Sequence, residues 1–150
     1  MEEVLIRPAQ VAELAELEAL QRRASLANPG DREAVLAHPD AIEIPVAQLE
    51  NGWGFVAERD GRVSGFAIVV PREDGDVDLD GLFVEPTLWR SGTGRALVRQ
   101  CARFAHAAGA QALRVEANPH AADFYVRCGF EETGRGTTRF GPSLLMGMAV

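Results

Sequence analysis

The sequence contains no lysine. All 15 of its basic side chains are arginines, against 22 aspartates and glutamates, and the formal net charge is −7. A Walker-type nucleotide loop needs a lysine on the phosphates, so this absence excludes that class of phosphate site. The acidic balance argues against nucleic acid as the main partner and suits a cationic, amine-bearing ligand.

Cysteine is scarce, and long apolar runs are missing. Cys101 and Cys128 fall in predicted helices with no second Cys or His at metal-ligand spacing, which predicts buried free thiols and no metal site. No apolar run approaches the roughly 20 residues that span a bilayer, and the Met-Glu-Glu start lacks the features of a signal peptide. We therefore expect no membrane partner, a cytoplasmic location and a single domain over residues 1–150.

Glycines, by contrast, mark the most informative stretch. Gly92 and Gly94 lie in WRSGTG (residues 89–94), between a strand-like run, LFVEP (82–86), and a helical pattern that starts at Ala96. A backbone with glycines at this spacing can turn several N–H groups toward one anion. The helix that follows adds its own free N–H groups and its positive end. The stretch therefore predicts a phosphate or pyrophosphate site.

The spacing separates the remaining kinds of phosphate motif. A dinucleotide-binding fingerprint needs G-x-G-x-x-G directly after its strand. Here Leu97 occupies the third glycine position, and residues 85–91 separate the strand from the glycines. The pattern that remains is an acyl-CoA loop of the form x-x-x-G-x-G/A.

Three pieces in this order resemble the GNAT N-acetyltransferase superfamily. They are LFVEP, WRSGTG and RVEANPHAADFYVRCGF (residues 114–130), and they cover most of residues 77–130. The sequence departs from the family pattern at Trp89, where Gln or Arg is frequent, and at Ser91, where Arg or Gly is frequent. Backbone amides can still bind phosphate there, but side-chain help from Trp89 is not expected.

The fold that the resemblance implies agrees with the patterning along the chain. We expect one α/β domain (α+β in some schemes), with a mixed central sheet of six to seven strands splayed between two parallel central strands and flanked by about four helices. Asp60-Gly61 predicts a tight hairpin between two strands. The predicted strands are 2–7, 53–60, 62–71, 77–86, 112–117, 130–134 and 143–150, with a loop over 135–142. The first predicted helix starts at Pro8 and ends at Asn28. The other predicted helices cover residues 32–37, 46–50, 93–108 and 120–128.

For the chemistry, the resemblance implies direct attack of an amine on acetyl-CoA, with strand amides of Leu82, Phe83 and Val84 facing the thioester. Gly81 could permit the bulge that leaves those groups unpaired, or could merely allow close packing. Tyr125, the only tyrosine, matches the position of the family's acid. A phenol stays protonated at neutral pH and can give its proton to a thiolate. The alternative for Tyr125 is a packed helix residue in the core.

Two carboxylates are candidates for the base. Asp78 and Asp80 are two residues apart on one predicted strand, so both side chains leave the same face. An aspartate is a weak base for an ammonium group and would act through water, and Asp80 is the stronger candidate. The alternative is a solvated acidic edge. Glu116, at the end of the next strand, is a third candidate or a surface charge.

Further residues complete the predicted cofactor site. Asn118 matches the family position that bonds the pantetheine arm, but it could equally cap a helix before Pro119. His120 reads as an exposed histidine of a first helical turn. The predicted cofactor-binding set is Leu82, Phe83, Val84, Arg90, Ser91, Gly92, Thr93, Gly94, Arg95 and Asn118.

The sequence thus predicts an acetyl-CoA-dependent N-acetyltransferase acting on a primary amine in a ternary complex, with no metal and with an acceptor that no motif identifies. A homodimer is compatible with the resemblance. A non-catalytic acyl-CoA-binding module and a nucleotide-binding protein remain as alternatives.

Overall fold

The computed structural model describes residues 4–150, which form seven strands and five α-helices. The strands are β1 (Leu5–Pro8), β2 (Gly54–Arg59), β3 (Arg62–Pro71), β4 (Val77–Val84), β5 (Ala112–Ala117), β6 (Glu131–Thr138) and β7 (Gly141–Ala149). The helices are α1 (Leu14–Ala27), α2 (Pro29–Ala37), α3 (Val46–Glu50), α4 (Thr93–Ala107) and α5 (Ala122–Cys128). Glu2 and Glu3, which the predicted first strand included, lie outside the described residues.

The strands join one mixed sheet in the order β1-β2-β3-β4-β5-β7-β6. Its parallel pair is β4 with β5, where Val77 lies opposite Leu113 and Asp78 opposite Arg114. The pairs β1–β2, β2–β3, β5–β7 and β6–β7 are antiparallel. The two parallel strands are connected through α4, as a parallel pair requires. The predicted α/β fold with a central parallel pair is confirmed.

The chain divides into two compact units. The first unit comprises Met1–Ile68 with Gly81–Gln100, and the second comprises Val69–Asp80 with Cys101–Val150. The fully buried side chains of the first unit include Leu17, Leu20, Val56, Phe66 and Leu97. Those of the second unit include Val69, Val77, Cys101, Leu113 and Phe130. The expectation of a single domain over residues 1–150 stays a prediction.

The tight hairpin between β2 and β3 is confirmed. Asp60 and Gly61 have φ values of 52° and 73°, and Arg59 pairs with Arg62 across the turn. Two consecutive positive φ values define the turn whose twist matches that of the two strands. The sequence pair Asp-Gly supplies the residues that tolerate this conformation.

The start of the first helix was predicted too early. Pro8 lies in β1 opposite Phe55, and the N–H group of Ala9 bonds to the carbonyl of Gly54 at 2.8 Å. These ladder contacts hold the chain extended, so helical turns begin only after Gln10, whose backbone N–H bonds to the Glu13 carboxylate at 2.8 Å. A 3₁₀ turn, Val11–Glu13, leads into α1.

The start of α2 was predicted too late. Asn28 ends α1, as expected, but its side chain also accepts a hydrogen bond from the N–H of Gly30 at 3.0 Å. Pro29 is the first residue of α2, a position where a missing N–H group costs nothing. Asn28-Pro29-Gly30 is therefore a helix start as well as a helix end.

The predicted loop over residues 135–142 is wrong, because β6 and β7 form one long hairpin. Thr137 lies opposite Pro142, and Thr138 opposite Gly141. The Thr138 hydroxyl accepts a hydrogen bond from the N–H of Phe140 at 3.1 Å, which closes the turn. Glycines in β6 weakened the strand signal, but pairing with β7 overrides this local preference.

The start of α5 was predicted too early. A 3₁₀ turn, Pro119–Ala121, comes first, and α5 begins at Ala122 rather than at His120.

The cysteines differ in burial. Cys101 is fully buried in α4, and this burial raises the pKa of its thiol to about 12. Cys128, at the end of α5, is half-buried. Neither cysteine forms a disulfide, and the expectation of burial holds fully only for Cys101. Within residues 4–150, no helix has the length and apolar character needed to cross a membrane.

A charged cluster fixes the entry to α1. The guanidinium of Arg7 donates to both carboxylate oxygens of Glu13, at 2.9 and 2.8 Å, and to the carboxylate of Glu58 at 3.0 Å. The hydrogen bonds from Arg7 hold the pKa of Glu13 below its usual value. Because the Glu13 side chain is only 13% exposed, this pair is shielded from solvent.

This cluster predicts a loss of stability in acid. The ionised form of Glu13 is favoured by folding, so its contribution is complete above the unfolded-state pKa of about 4.3. The contribution is lost as the pH falls through the lower pKa of the folded state. We expect Glu13→Gln to reduce the pH dependence of the free energy of unfolding between about pH 5 and 2, measured by urea denaturation. Glu16→Gln, which removes a carboxylate at an exposed position of α1, is the control, and an equal effect of the two substitutions would contradict the role of the Arg7–Glu13 pair.

Candidate functional site

The glycine loop of the first unit has the backbone of an anion site. Arg90 and Gly92 have φ values of 66° and 90°, on either side of Ser91. The first turn of α4 follows directly, and the N–H of Ala96 bonds to the carbonyl of Gly92 at 3.0 Å. The amides of residues 93–95 therefore have no acceptor within the helix. Successive amides in such a turn at a helix N-terminus can converge on one phosphate.

The space over Gly92 is open. A Cβ atom built on Gly92 would meet no atom within 4 Å. The neighbouring Arg90 and Arg95 are exposed, and the described residues give neither an ion-pair partner. The first turn of α4 contains no acidic residue. Positive side chains and free amides are thus available on an uncovered loop.

Three side chains brace this loop from within the first unit. Ser91 Oγ donates to the carbonyl of Leu88 and lies 2.9 Å from Thr93 Oγ1. Arg59, at the end of β2, donates to Thr93 Oγ1 and to the carbonyl of Ser91, both at 3.0 Å. Ser91 and Thr93 were predicted as cofactor-binding residues, and the contacts of their hydroxyls lie within the loop and with Arg59. Arg59 lies in no local motif, so the sequence-based prediction did not include it among the cofactor-site residues.

Trp89, which departs from the family pattern, has a structural partner. Its indole Nε1 donates to the carbonyl of Val84 at 2.9 Å, although the side chain is 44% exposed. The contact ties the start of the loop to the last residue of β4. A tryptophan indole is a donor only, so a strand-end carbonyl is a suitable acceptor.

The end of β4 is fixed by two more contacts. The N–H of Glu85 bonds to the carbonyl of Ser64 at 2.8 Å, and the Glu85 carboxylate accepts two hydrogen bonds of 2.9 Å from Arg23. The guanidinium of Arg23 holds the pKa of Glu85 below its usual value. Such two-point contacts fix direction as well as distance. The strand therefore ends at a defined place in the first unit.

A bulge lies in β3 beside this strand end. Ala57 pairs with Gly65 but Glu58 pairs with Val63, so Ser64 is the extra residue. The Ser64 hydroxyl donates to the carbonyl of Ala57 at 3.0 Å. The bulge expected at Gly81 stays a prediction. A Cβ on Gly81 would lie 3.1 Å from the ring of Phe83, which makes close packing one role of this glycine.

The residues of β4 expected to face the cofactor are half-buried. Leu82, Phe83 and Val84 are all intermediate in exposure, and the Phe83 ring packs 5.4 Å from that of Phe66. The carbonyl of Phe83 lies 2.9 Å from the position of a Cβ atom on Gly65. Gly65 therefore permits the close approach of β3 and β4 at this point.

In the second unit, the two candidate bases differ. Val77 and Leu79 are buried, and Asp78 and Asp80 alternate with them along β4. Both aspartates therefore leave the same face of the strand, as predicted. Asp78 forms an ion pair with Arg72 at 3.0 Å, and Arg72 forms a second ion pair with Asp74 at 3.1 Å. Asp80 is exposed. The ion pair with Arg72 agrees with the alternative prediction for Asp78, a charge on a solvated acidic edge.

Asp76 has a structural role that the sequence did not reveal. Its carboxylate accepts hydrogen bonds from the N–H groups of Gln111 and Ala112, at 3.2 and 3.1 Å, and from Arg114 at 2.8 Å. The contact with Arg114 holds the pKa of Asp76 below its usual value. Asp76 thereby fixes the start of β5 beside β4.

Tyr125 and Asn118 also lie in the second unit. Tyr125 is 9% exposed, and its ring makes edge contacts with Phe124 and Phe130 at 5.2 and 5.3 Å. The Asn118 side chain accepts from the N–H of His120 at 2.9 Å, so it is a helix cap whatever else it binds. Glu116 accepts from the buried hydroxyl of Ser143 at 2.8 Å. The acid role of Tyr125 and the pantetheine contact of Asn118 stay predictions.

The first unit also contains an open cleft of about 510 Å³. Its lining is mixed, with apolar side chains and three carboxylates: Leu14, Glu18, Asp40, Ile42, Glu43, Ile44, Pro45 and Val46. Glu18 accepts from the N–H of Ile44 at 2.8 Å and so holds this segment against α1. Among the described residues, no group of three His, Cys, Asp or Glu side chains could hold a metal ion.

Comparison with known families gives a match over the stretch that contains the glycine loop. A family model described as the acetyltransferase (GNAT) family matches residues 14–130. The chain belongs to the GNAT acetyltransferase family. Uncharacterized N-acetyltransferases of Mycobacterium bovis and Mycobacterium tuberculosis are 36% identical to this chain over 90 residues. The match covers 57% of this chain and 56% of each relative, so the chain spans about half the length of these curated relatives.

Solved GNAT structures share the fold. A GCN5-related N-acetyltransferase from Rhodopseudomonas palustris superposes with a TM-score of 0.82 at 23% identity, covering 100% of this chain and 98% of that one. The PaiA N-acetyltransferase of Thermoplasma acidophilum, solved in complex with coenzyme A, gives 0.79 at 16% identity, with 99% of both chains covered. At these identities the likeness establishes the GNAT fold alone.

The approach of Gly65 to Phe83 gives a test of the packing around β4. Gly65→Ala would place a Cβ atom 2.9 Å from a backbone oxygen, which cannot be relieved by a side-chain rotation. We expect a loss of about 1–3 kcal/mol in the free energy of unfolding, measured by urea denaturation. Gly147→Ala in β7 is the matched control, because its Cβ would make only ordinary contacts of 3.8 Å or more. Equal stability of the two variants would contradict the packing assigned to Gly65.

Proposed function

We propose that the protein is an N-acetyltransferase that transfers the acetyl group of acetyl-CoA to a primary amine by direct attack in a ternary complex. The observation that carries this proposal is the loop of residues 89–94, with positive φ values at Arg90 and Gly92 and with the first turn of α4 directly behind it. Membership of the GNAT family supports the same cofactor. A cytoplasmic location stays a prediction.

The residues of the loop fit a CoA pyrophosphate. Gly92 leaves open space where a side chain would stand, and Arg90 and Arg95 are exposed beside it. Acetyl-CoA, when bound, supplies an already activated thioester carbonyl, so the protein needs to orient the amine, exclude water and handle protons. In this proposal the amides of residues 92–95 bind phosphate, and those of Leu82, Phe83 and Val84 face the thioester.

Two side chains carry the proton transfers in this proposal. Asp80 accepts a proton from the amine through water, and Tyr125 gives a proton to the leaving thiolate. Asn118 contacts the pantetheine arm while it caps the turn that follows.

The open cleft of the first unit supports a cationic acceptor. Asp40 and Glu43 are exposed at its rim, and Ile42, Ile44 and Val46 offer apolar contacts. The negative carboxylates of the cleft attract an amine in its protonated, ammonium form, before the amine is deprotonated for the reaction. We propose an amine with an apolar portion as the acceptor class, to be identified by screening an amine library.

The first test is calorimetric titration of the protein with acetyl-CoA. We expect micromolar binding that Gly92→Val lowers by at least about tenfold, because a β-branched residue at a φ value of 90° forces the loop to change shape. Gly75→Val is the matched control. Gly75 has a φ value of 93° and equally open surroundings, but it lies in the β3–β4 turn.

The control should bind acetyl-CoA like the wild type. No binding by folded wild-type protein would overturn the transferase proposal, and nucleotides would then be titrated. Binding without turnover on any amine would indicate an acyl-CoA-binding module.

Tyr125→Phe tests the enzyme itself. The substitution keeps the ring and its edge contacts with Phe124 and Phe130 but removes the hydroxyl. We expect turnover with an identified amine to fall by about a hundredfold or more, while the Kd for acetyl-CoA stays within about twofold. Unchanged turnover in this variant would exclude Tyr125 as the acid.

A further inference from the structure

Arg59 reaches the glycine loop from the neighbouring hairpin. It is the last residue of β2, and its half-buried guanidinium donates to the Thr93 hydroxyl through Nε and to the Ser91 carbonyl through Nη2, each at 3.0 Å. Thr93 is fully buried as the first residue of α4. One planar fork therefore holds both sides of Gly92.

The contact with the Ser91 carbonyl sets the direction of the next amide. The Ser91–Gly92 peptide is trans, as are the other peptides of the described chain. In a trans peptide the carbonyl and the N–H group point in opposite directions. With the Ser91 carbonyl turned toward Arg59, the Gly92 N–H points away from the guanidinium, and the position above Gly92 is uncovered.

The position of this charge is unfavourable without an anion. The N-terminus of a helix carries a partial positive charge, and a cation near it is repelled. Here Arg90 and Arg95 lie on the loop and in the first turn of α4, which contains no acidic residue, and Arg59 contacts Ser91 and Thr93 from the end of β2. The described residues offer Arg59 no carboxylate within ion-pair distance, although the whole chain has a formal net charge of −7. A bound anion with more than one negative charge would stabilise this arrangement.

We propose that Arg59 is a positioning residue for the pyrophosphate of CoA. It acts through Ser91 and Thr93 by fixing the Gly92 amide toward the anion, and its charge strengthens binding without entering the chemistry. This inference rests on the proposed function. It adds a residue from outside the glycine motif to the phosphate site.

The test compares Arg59→Gln with Arg62→Gln by calorimetry with CoA and with 3′-dephospho-CoA. Arg62 is the matched control, because it is exposed, lies opposite Arg59 in the hairpin and carries the same charge. We expect Arg59→Gln to raise the Kd of both ligands by about tenfold or more and by the same factor, since both contain the pyrophosphate. Arg62→Gln should stay within about twofold of the wild type.

Steady-state kinetics separates positioning from a general structural defect. We expect Arg59→Gln to raise the KM for acetyl-CoA by about the same factor while kcat is retained. A fall in kcat with unchanged KM would overturn the inference. So would equal binding by the two glutamine variants, or a loss confined to CoA, which would assign Arg59 to the 3′-phosphate.

Arg59→Lys keeps the inference testable if the glutamine variant does not fold. Lysine retains the charge but lacks the planar fork, so we expect Arg59→Lys to bind CoA more weakly than the wild type. Wild-type affinity in Arg59→Lys would overturn the role of the fork. Failure of the wild type itself to bind CoA would overturn the proposed function, and this inference with it. Normal wild-type binding with unaffected Arg59 variants would overturn the inference alone.

Discussion

The structure of the first unit depends on how the end of β4 is held. Three contacts meet there: the Trp89 indole on the Val84 carbonyl, the Glu85 amide on the Ser64 carbonyl and the Arg23 fork on the Glu85 carboxylate. A strand end fixed in this way gives the loop that follows a defined starting point. Arg59 fixes the other end of that loop at Thr93. The free amides at the start of α4 are thus presented by a braced turn, which lowers the entropy that a ligand would otherwise have to remove.

Much of the fold could be predicted because its signals are local. The Asp60-Gly61 turn, for example, depends on two adjacent residues. The errors lie where distant partners decide. Pro8 stays extended because Phe55 pairs with it, and the glycine-rich β6 is a strand because β7 lies beside it. The late start predicted for α2 is different, since the Asn28-Pro29-Gly30 signal was present but was read only as a stop.

The same distinction applies to the candidate site. Gly92 and the helix behind it were visible as a motif, because positive φ and a free helix end have sequence signals. Arg59, Ser64 and Asp76 were not, because each acts on residues at least 20 positions away, apart from the hydroxyl contact of Ser64 with Ala57. The roles of Tyr125, Asp80 and Asn118 could be proposed only from the family resemblance.

The burial of Cys101 has a practical consequence for assays of the proposed acetyl transfer. Acetyl transfer releases a free thiol on CoA, which aromatic disulfide reagents detect by colour. A thiol reacts with them as its thiolate, and Cys101 is both enclosed and held in the protonated form. Cys128, half-buried at the end of α5, is the one cysteine able to contribute background colour. Background colour from the native protein is therefore limited to Cys128, at most one equivalent of reagent per chain.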